Sequence, residues 1–276
     1  MRAAVVGHVE WIEFARVKRV PLPGEIVHAE DNWEEPGGGG AVTAVQLAKL
    51  AGGATLFTAL GDDELGHRAH DALAALGLRV EVAWRDEPQR RGFVHVDCAG
   101  ERTITLIGPR LGPRGEDDLP WDELAEMDAV YFTAGDPAAL RAARAARSLV
   151  ATVRALPTLA EAAVTLDTLV ASGKDEGERY ERGQIDPEPE IVVRTAGADG
   201  GRWESADGRS GHWPGTPLPG PVQDAYGCGD SFVGGLTYGL GSEMDLDMAL
   251  GLAARCGAAN FTGRGPYAGQ LTADDL

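Results

Sequence analysis

The stretch DAYGCGDSF, residues 224–232, decides how we interpret the rest of the chain, because it combines a flexible turn, a carboxylate and the start of a helix. Gly227 and Gly229 flank Cys228, and Asp230 follows at once. The mostly apolar run FVGGLTYGL comes next and has the pattern of a helix that begins near Gly229. Consecutive N–H groups in such a turn, together with the positive end of a helix dipole, form a concavity that suits anionic oxygen.

Asp230 falls in the first turn of this predicted helix, beside the concavity. A carboxylate in that position can accept a proton from a substrate hydroxyl, while the N–H groups of residues 227–229 can stabilise negative charge that develops during group transfer. The alternative is that Asp230 only complements the helix dipole, as acidic residues in a first turn commonly do.

A second glycine-rich tract, EEPGGGG at 34–40, precedes a predicted helix that Gly52 closes. Four consecutive glycines let the backbone approach a ligand closely, and the helix N-terminus supplies free N–H groups; a plain flexible loop is the alternative. No GKS or GKT follows, so the tract is not a P-loop. The first predicted strand leads into GHVEW rather than GxGxxG, which argues against a dinucleotide-binding fold.

Predicted strands and helices alternate along the chain. Apolar runs typical of buried strands are AAVVGHV (3–9), ATLFTALG (54–61) and DAVYFTAG (128–135), and PAALRAARAARSL (137–149) has a helical pattern with Pro at its start. This alternation predicts an α/β fold with a doubly wound, mostly parallel sheet and helices on both faces.

Two hairpin-like regions, residues 11–33 and 91–108, do not fit the alternation. We expect their strands to form a small β lid that projects from the sheet. Because no repeat, linker or break in composition divides the chain, we expect residues 1–276 to form a single domain.

The composition limits the classes of partner that the protein is expected to bind. A net charge of −18 makes nucleic acid and anionic membranes unfavourable partners, although a local cluster of backbone N–H groups can still bind a small phosphate ligand. Three cysteines without a CxxC pair argue against a disulfide framework and a zinc site. Glu10 interrupts the N-terminal apolar run, so we expect no signal peptide or membrane span, and a soluble, cytoplasmic protein.

Four segments, in order, resemble the motifs of the ribokinase-like, or PfkB, carbohydrate kinase family. DAYGCGD resembles the signature DTxGAGD, and PGGGGAVTAVQLAKLAG (36–52) resembles PGGxxxNxAxxLAxLG. TALGDDELG (58–66) resembles VGxDxxG, and VVRTAGADGG (192–201) resembles TxGxxG. The resemblance spans nearly the whole chain and implies a doubly wound sheet with a β lid that closes over a sugar.

The resemblance also implies an activity, the transfer of the γ-phosphate of ATP to a hydroxymethyl group of a sugar or sugar derivative. Asp230 would be the general base, and the N–H groups of Gly227, Cys228 and Gly229 would form the anion hole. This agrees with the reasoning from the residues, since phosphoryl transfer depends on positioning and charge stabilisation.

Further roles follow from the resemblance alone. Thr195, Gly197 and Gly200 would lie along the nucleotide, together with Gly227 and Gly229. Gly38 and Gly39 would lie at the sugar, and Asp224 would help to hold a monovalent cation such as K⁺.

The chain departs from the family pattern in three places. The acidic or amide residue expected after the first strand is replaced by Glu10, or less well by His8. Val42 stands where the family has Asn, so one sugar hydrogen bond is missing. The NxxE motif that is linked to Mg²⁺ is reduced to SGKD, in which Asp175 would act through water, or Glu178 in its place.

Several alternatives stay open at this point. The acceptor is a nucleoside if aromatic residues near the lid, namely Trp11, Phe14 and Trp33, stack on a base. A catalytically inactive sugar- or nucleotide-binding regulatory protein would explain the weak metal motif. The assembly is open as well: lid strands often pair across a homodimer in this family, but some members are monomers.

Two side chains carry hypotheses of their own. Arg102 either faces a substrate phosphate or points to solvent. Cys228, at a helix N-terminus, has either a lowered pKa and a reactive thiol or the role of a small residue that fits where Ala is usual.

Overall fold

The computed structural model describes all residues, 1–276. Its strands are β1 (Ala3–Val6), β2 (Glu10–Arg16), β3 (Asp31–Gly37), β4 (Ala54–Gly61), β5 (Leu78–Arg85), β6 (Arg91–Val96), β7 (Arg102–Ile107), β8 (Ala129–Phe132), β9 (Ser148–Thr152), β10 (Thr168–Ser172), β11 (Ile191–Thr195), β12 (Gly201–Ser205) and β13 (Ser210–Trp213). Its α-helices are α1 (Gly39–Ala51), α2 (Glu64–Ala75), α3 (Pro137–Ala143), α4 (Leu156–Ala162), α5 (Cys228–Gly241) and α6 (Leu246–Asn260).

The main sheet has nine strands in the order β13-β12-β11-β10-β9-β8-β1-β4-β5. All pairs from β11 to β5 are parallel, and only β12 and β13 at one edge are antiparallel. Every residue of β1 and β4 is buried, as expected for central strands that are covered on both faces.

Successive residues of β1 point to opposite faces of this sheet and enter separate cores. Ala3 and Val5 pack in a cluster with apolar residues of α1, α2, α5 and α6. Ala4 and Val6 pack in a second cluster with residues of α3 and α4. The predicted fold class, a doubly wound, mostly parallel sheet with helices on both faces, is confirmed.

Glycines let α5 lie close to its neighbours. A Cβ atom on Gly235 would lie 2.9 Å from the Cα of Ala253 on α6, and one on Gly234 would lie 2.8 Å from the Gln46 side chain on α1. The GG pair of the run FVGGLTYGL therefore permits close helix packing on two sides of α5.

A second, small sheet has the strand order β3-β2-β6-β7, with β2 parallel to β6 and antiparallel pairs at both edges. It contains the two regions that were predicted to form a lid, except that β3 extends to Gly37 and that residues 17–30 lie outside its strands. All six residues of the edge strand β7 are exposed, including Ile104 and Leu106. Closure of this sheet over a sugar stays a prediction.

The predicted helix over residues 137–149 is wrong in its second half. Helix α3 ends at Ala143, and β9 already begins at Ser148. Alternating Ala and Arg residues favour a helix, but Leu149–Ala151 are buried between β8 and β10, so the tertiary context prevails. No helix of the structure has both the length and the apolar character needed to cross a bilayer.

Candidate active site

The start of α5 is shaped as an anion-binding turn. Gly227 precedes the helix in the left-handed conformation, with φ 81° and ψ 1°, which a residue with a Cβ atom adopts only with strain. No side chain caps this N-terminus, so the N–H groups of Cys228 and Gly229 are free. Gly229 is exposed at this turn, whereas Gly227 is buried.

Asp230 lies between the N-termini of two helices. Its own helix is α5, and its Oδ1 atom approaches Gly39 of α1 so closely that a Cβ atom there would lie 3.1 Å away. Thr43 on α1 donates a hydrogen bond from Oγ1 to the Asp230 carbonyl oxygen at 3.1 Å. The glycine-rich tract is thus part of the candidate site, because Gly39 leaves room for the Asp230 carboxylate.

Burial raises the pKa of Asp230, and Glu178 adds to that effect. The positive charges of Arg102 and Arg154 lower the pKa and oppose it. Arg102 donates a hydrogen bond from Nη1 to the Ala225 carbonyl oxygen at 3.1 Å, so its side chain reaches across from β7 to the loop that precedes α5. Arg102 is thus exposed, like the rest of β7, and is also tethered to that loop; a contact with a substrate phosphate stays a prediction.

Glu10 and His8 form the wall opposite Asp230. Both are buried, at 5% and 6% exposure; His8 lies in the segment that joins β1 to β2, and Glu10 begins β2. Glu10 Oε1 lies 3.2 Å from Arg90 Nε and 3.9 Å from His8 Nε2. Gly38, with φ 86°, packs against both, since a Cβ atom there would lie 3.1 Å from His8 Cδ2 and 3.3 Å from Glu10 Cγ.

The titration behaviour of this wall follows from its burial. Burial lowers the pKa of His8 to about 3, helped by the charges of Arg110, Arg90 and Arg154, so the imidazole is neutral. Burial also raises the pKa of Glu10, while Arg90 and Arg110 oppose that rise.

The predicted nucleotide loop lies at the same edge of the main sheet. Thr195 ends β11, and Gly173, which follows β10, donates its N–H to the Thr195 carbonyl oxygen at 2.7 Å. Gly197 (φ 62°) and Gly200 (φ 83°) then turn the chain into β12. The carboxyl ends of β10 and β11 thus present this loop on the side where open α/β sheets bind ligands.

Asp175 is already engaged within the protein. Its Oδ2 accepts a hydrogen bond from Arg154 at 2.7 Å, and its Oδ1 accepts one from the Gly177 N–H at 2.8 Å. Glu178 contacts the same arginine at 2.5 Å. No group of three or more His, Cys, Asp or Glu residues is placed to hold a metal ion. These residues do not fit direct coordination of Mg²⁺.

Asp224 lies under the loop, completely buried. Its two oxygens accept hydrogen bonds from the N–H groups of Tyr226 at 2.8 Å and Gly265 at 3.2 Å. Burial nevertheless raises its pKa. Glu35 Oε2, a buried atom without a hydrogen-bond partner, abuts the same glycine, because a Cβ atom on Gly265 would lie 2.8 Å from it. The buried Asp224 and the partly buried Glu35 thus place carboxyl oxygens around one turn, and oxygen donors of this kind fit a monovalent cation.

The thiol of Cys228 does not have the lowered pKa that its helix N-terminal position suggested. Burial raises the pKa to about 11, although a hydrogen bond from Asn260 and the charge of Arg102 act in the opposite direction. The hypothesis of a reactive thiol is therefore wrong, and Cys228 serves as a small residue. Val42 is also buried and packs towards Gly227, so it offers no polar group to a sugar.

The aromatic residues near the small sheet are used inside the protein. The rings of Phe14 and Trp33 stack on each other with centroids 4.9 Å apart, and Phe14 also meets Tyr226 edge-on at 5.1 Å. Trp11 is 6% exposed, and the Arg68 guanidinium lies 4.4 Å from its ring centroid. This arrangement favours sealing of the sheet over stacking on a base.

Three arginines at the site were missed from the sequence: Arg90, Arg110 and Arg154. Each lies just outside a strand, in the stretches that flank β6, β7 and β9. The sequence does indicate that each arginine lies at the end of an element. That these ends lie close together becomes apparent only from the topology of both sheets.

Comparisons with known proteins agree with this geometry. The model of the pfkB family of carbohydrate kinases matches residues 2–175 and 155–273, which is nearly the whole chain. The chain belongs to this family. The resemblance stated from its motifs is thus confirmed, as is the enzyme class, a carbohydrate kinase, and use of ATP follows from membership.

Individual relatives of this pfkB-family protein are distant. It is 28% identical to an ATP-dependent ribose-1-phosphate kinase of Halopiger xanaduensis over 94% of this chain and 91% of the relative. Ribokinase of Thermotoga maritima superposes with a TM-score of 0.80 at 20% identity, covering 100% of this chain and 97% of that one. Ribokinase of Cryptococcus neoformans in complex with ADP gives a TM-score of 0.77 at 21% identity, covering 99% and 98%. At such identities the two structures establish the fold.

Proposed function

We propose that this pfkB-family kinase transfers the γ-phosphate of ATP to a hydroxymethyl group of a sugar or sugar derivative, with Asp230 as general base. The observation that carries the proposal is the placement of Asp230. Its carboxylate lies beside the free N–H groups of Cys228 and Gly229 and against Gly39, which adjoins the wall made by His8 and Glu10. The phosphate donor and the sugar acceptor would thus lie on different sides of the Asp230 carboxylate.

In the proposed reaction the acceptor hydroxyl gives its proton to Asp230 while its oxygen attacks the γ-phosphorus. The bond from that phosphorus to the bridging oxygen breaks, and ADP leaves with the electron pair. The N–H groups of residues 227–229 stabilise the charge on the transferring group. Thr195, Gly197 and Gly200 line the nucleotide, and Glu10, Gly38 and Gly39 position the acceptor.

Metal ions take two separate roles in this proposal. Mg²⁺ enters as part of the MgATP substrate and keeps its waters, since Asp175 and Glu178 are held by Arg154. Asp224 and Glu35, whose buried Oε2 atom lacks a partner, are the residues that would hold a monovalent cation such as K⁺. If the turnover rate were equal in K⁺ and in choline salts, the proposed monovalent-cation site would be refuted.

The competing functions have less support. A nucleoside acceptor would need aromatic rings for the base, and Phe14 and Trp33 are stacked on each other. A regulatory protein without chemistry would have no use for a carboxylate placed beside free N–H donors. The name of the Halopiger relative adds ribose 1-phosphate to the acceptors that should be tested.

Replacement Asp230→Asn is the direct test. We expect turnover to fall by about 10²–10⁴-fold, the usual contribution of a general base, because the amide cannot accept the hydroxyl proton. ATP affinity, measured by calorimetry, should persist, because the N–H donors of α5 are backbone groups.

Turnover should be measured over a panel of sugars, sugar phosphates and nucleosides. A variant that keeps the full rate would refute Asp230 as the base. Wild-type protein that binds ligands but turns over none of them would instead support the regulatory protein.

A further inference from the structure

Two glycine-rich segments from distant parts of the chain meet at Asp230. Residues 227–229 lead into α5, whereas residues 34–40 lead into α1. They come together where Gly39 leaves room for the Asp230 carboxylate, since a Cβ atom on this glycine would lie 3.1 Å from Oδ1. Transfer between two bound groups requires that the segments serving them keep a fixed relative position. A residue that contacts both segments can therefore affect the rate without touching a substrate.

Tyr226 contacts both of these segments. It directly precedes Gly227 in the chain, and its side chain is buried, at 5% exposure. Its hydroxyl oxygen accepts a hydrogen bond from the Gly38 N–H at 3.0 Å. Gly38 lies immediately before α1, so no carbonyl oxygen of that helix is available to its N–H. A Cβ atom on Gly37 would lie 2.5 Å from the same hydroxyl oxygen, so the phenol fits because this position is glycine.

The backbone of Tyr226 is held on both sides. Its N–H donates to Asp224 Oδ1 at 2.8 Å, and its carbonyl oxygen accepts a hydrogen bond from Asn260 Nδ2 at 2.8 Å. Asn260 ends α6, is completely buried, and also places Nδ2 3.7 Å from Cys228 Sγ. Helix α6 thus holds the residues before and after Gly227, whose left-handed conformation shapes the turn.

Packing alone does not explain these two polar side chains. The Oδ1 atom of Asn260 is buried without a hydrogen-bond partner, which is destabilising, so an apolar residue of the same size would fill the space without that penalty. Burial raises the pKa of Tyr226 above its usual range, and the charges of Glu10 and Asp230 add to the rise. The hydroxyl is therefore uncharged and acts as a hydrogen-bonding group rather than as a base.

We propose that Tyr226, held by Asn260, is a positioning residue that keeps the turn 227–229 and the glycine-rich tract 34–40 in register. This inference rests on the proposed kinase function and adds residues that touch neither substrate. The turn offers its N–H groups to the transferring phosphoryl group, and the tract lies on the acceptor side, so a shift between the two separates the groups that react. Tyr226 itself gains and loses no proton.

Replacement Tyr226→Phe removes one oxygen atom and tests this role. We expect kcat to fall by about tenfold or more, because the turn and the tract lose a direct link. The KM for ATP and the KM for the sugar should change little, since an interaction that serves the transition state alone lowers kcat and kcat/KM together. Ribose and fructose are the acceptors for this measurement.

A binding measurement tests the same role without turnover. ADP with aluminium fluoride mimics the transferring phosphoryl group, so its binding reports how well the N–H groups of residues 227–229 are placed. Calorimetry should show that Tyr226→Phe keeps the parent affinity for ADP alone. The additional affinity that aluminium fluoride confers should fall by about tenfold, in proportion to the loss in kcat.

Replacement Tyr267→Phe is the matched control. The Tyr267 hydroxyl is also buried and donates to the Pro36 carbonyl oxygen at 2.6 Å, so it anchors the same tract from another segment of the chain. Both variants lose one buried hydrogen bond, and their melting temperatures should fall by similar amounts. Only Tyr226→Phe should lower kcat, because only Tyr226 belongs to the loop that enters α5.

Replacement Asn260→Leu provides a second, independent variant. It keeps most of the side-chain volume and removes the donor to the Tyr226 carbonyl oxygen, so kcat should fall with little change in either KM. Combined with Tyr226→Phe, the loss in kcat should be smaller than the product of the two single losses, because both changes act on one turn.

Four results would overturn the inference. They are an unchanged kcat in Tyr226→Phe, equal losses of kcat in Tyr226→Phe and Tyr267→Phe, a raised KM with kcat unchanged, and an unaltered effect of aluminium fluoride on binding. Failure of Asp230→Asn to slow turnover would instead refute the base. The comparison of ADP with and without aluminium fluoride would still decide the role of Tyr226, because it depends on backbone N–H groups.

Discussion

At the scale of single residues, Asp230 as the proposed general base must be ionised to accept a proton, so the rate should rise with pH as this carboxyl loses its own proton. Burial raises its pKa above the ordinary value for Asp, and Arg102 and Arg154 hold that rise in check. The acid limb of the kcat profile therefore reports the balance between burial and two arginines.

Replacement Arg102→Met removes one of these positive charges and keeps most of the side-chain volume. The carboxylate then loses a stabilising partner, its pKa rises further, and the acid limb of kcat moves to higher pH. The measurement is the pH dependence of kcat at saturating substrates.

Exposed Arg91, on the neighbouring strand of the same sheet, provides the control, and Arg91→Met should leave the profile in place. A lower kcat with an unmoved acid limb would mean that Arg102 only anchors Ala225, and our assignment of its charge to Asp230 would fail.

Residues of the site differ in how far they could be predicted from the sequence. Asp230 and the glycines of 227–229 are neighbours in the chain, and their spacing alone indicates a turn with a carboxylate. Glu10 was located by its position after the first strand. Arg90, Arg110 and Arg154 were missed because three separate connections bring them together, and no local pattern encodes that.

At the scale of elements, two glycines at helices should respond to alanine in opposite ways. Gly52 ends α1 with φ 78°, in the left-handed region, and Gly251 lies within α6 and is exposed. A Cβ atom would meet nothing within 4 Å at either position, so only the backbone decides the outcome.

We expect Gly52→Ala to lower the free energy of unfolding by about 1 kcal/mol, because alanine resists the left-handed conformation. Gly251→Ala should raise it by about 0.5–1 kcal/mol, since glycine is the poorer residue within a helix. Urea denaturation measures both, and two changes of the same sign would contradict the backbone argument.

The predictability of whole elements depended on burial. Helix α1 and its end at Gly52, strand β4 and the hairpin of β6 and β7 follow local patterns and formed as predicted. Helix α3 is shorter than its sequence suggests, because strand pairing captures residues from Ser148 onwards. Strand β5 escaped prediction, since most of its residues are only partly buried and charges interrupt its apolar positions.

At the scale of the molecule, the free edge of the small sheet favours a homodimer. Strand β7 pairs only with β6, all its residues are exposed, and Ile104 and Leu106 on one face are 40% and 43% exposed. An apolar, unpaired edge of this kind favours pairing with another chain.

Replacement Ile104→Lys should shift the assembly from dimer to monomer, because a buried ammonium at the contact is unfavourable. Light scattering after gel filtration measures the mass against the 29.0 kDa of one chain. Met248→Lys changes a more exposed apolar side chain on α6, at 61% exposure, and should leave the dimer intact. If the wild-type protein had the mass of a monomer, the predicted homodimer would be wrong.

The parallel pairing of β2 with β6 also sets an order of events during synthesis. Trp11 pairs with Arg91, so this contact waits until the intervening β3, α1, β4, α2 and β5 have left the ribosome. The small sheet is complete in sequence at Ile107, whereas Asp230 arrives with α5 much later. Since synthesis proceeds from the N-terminus, a growing chain contains the strands of the small sheet well before it contains Asp230, and if Asp230 is the base, a chain that ends before α5 is inactive.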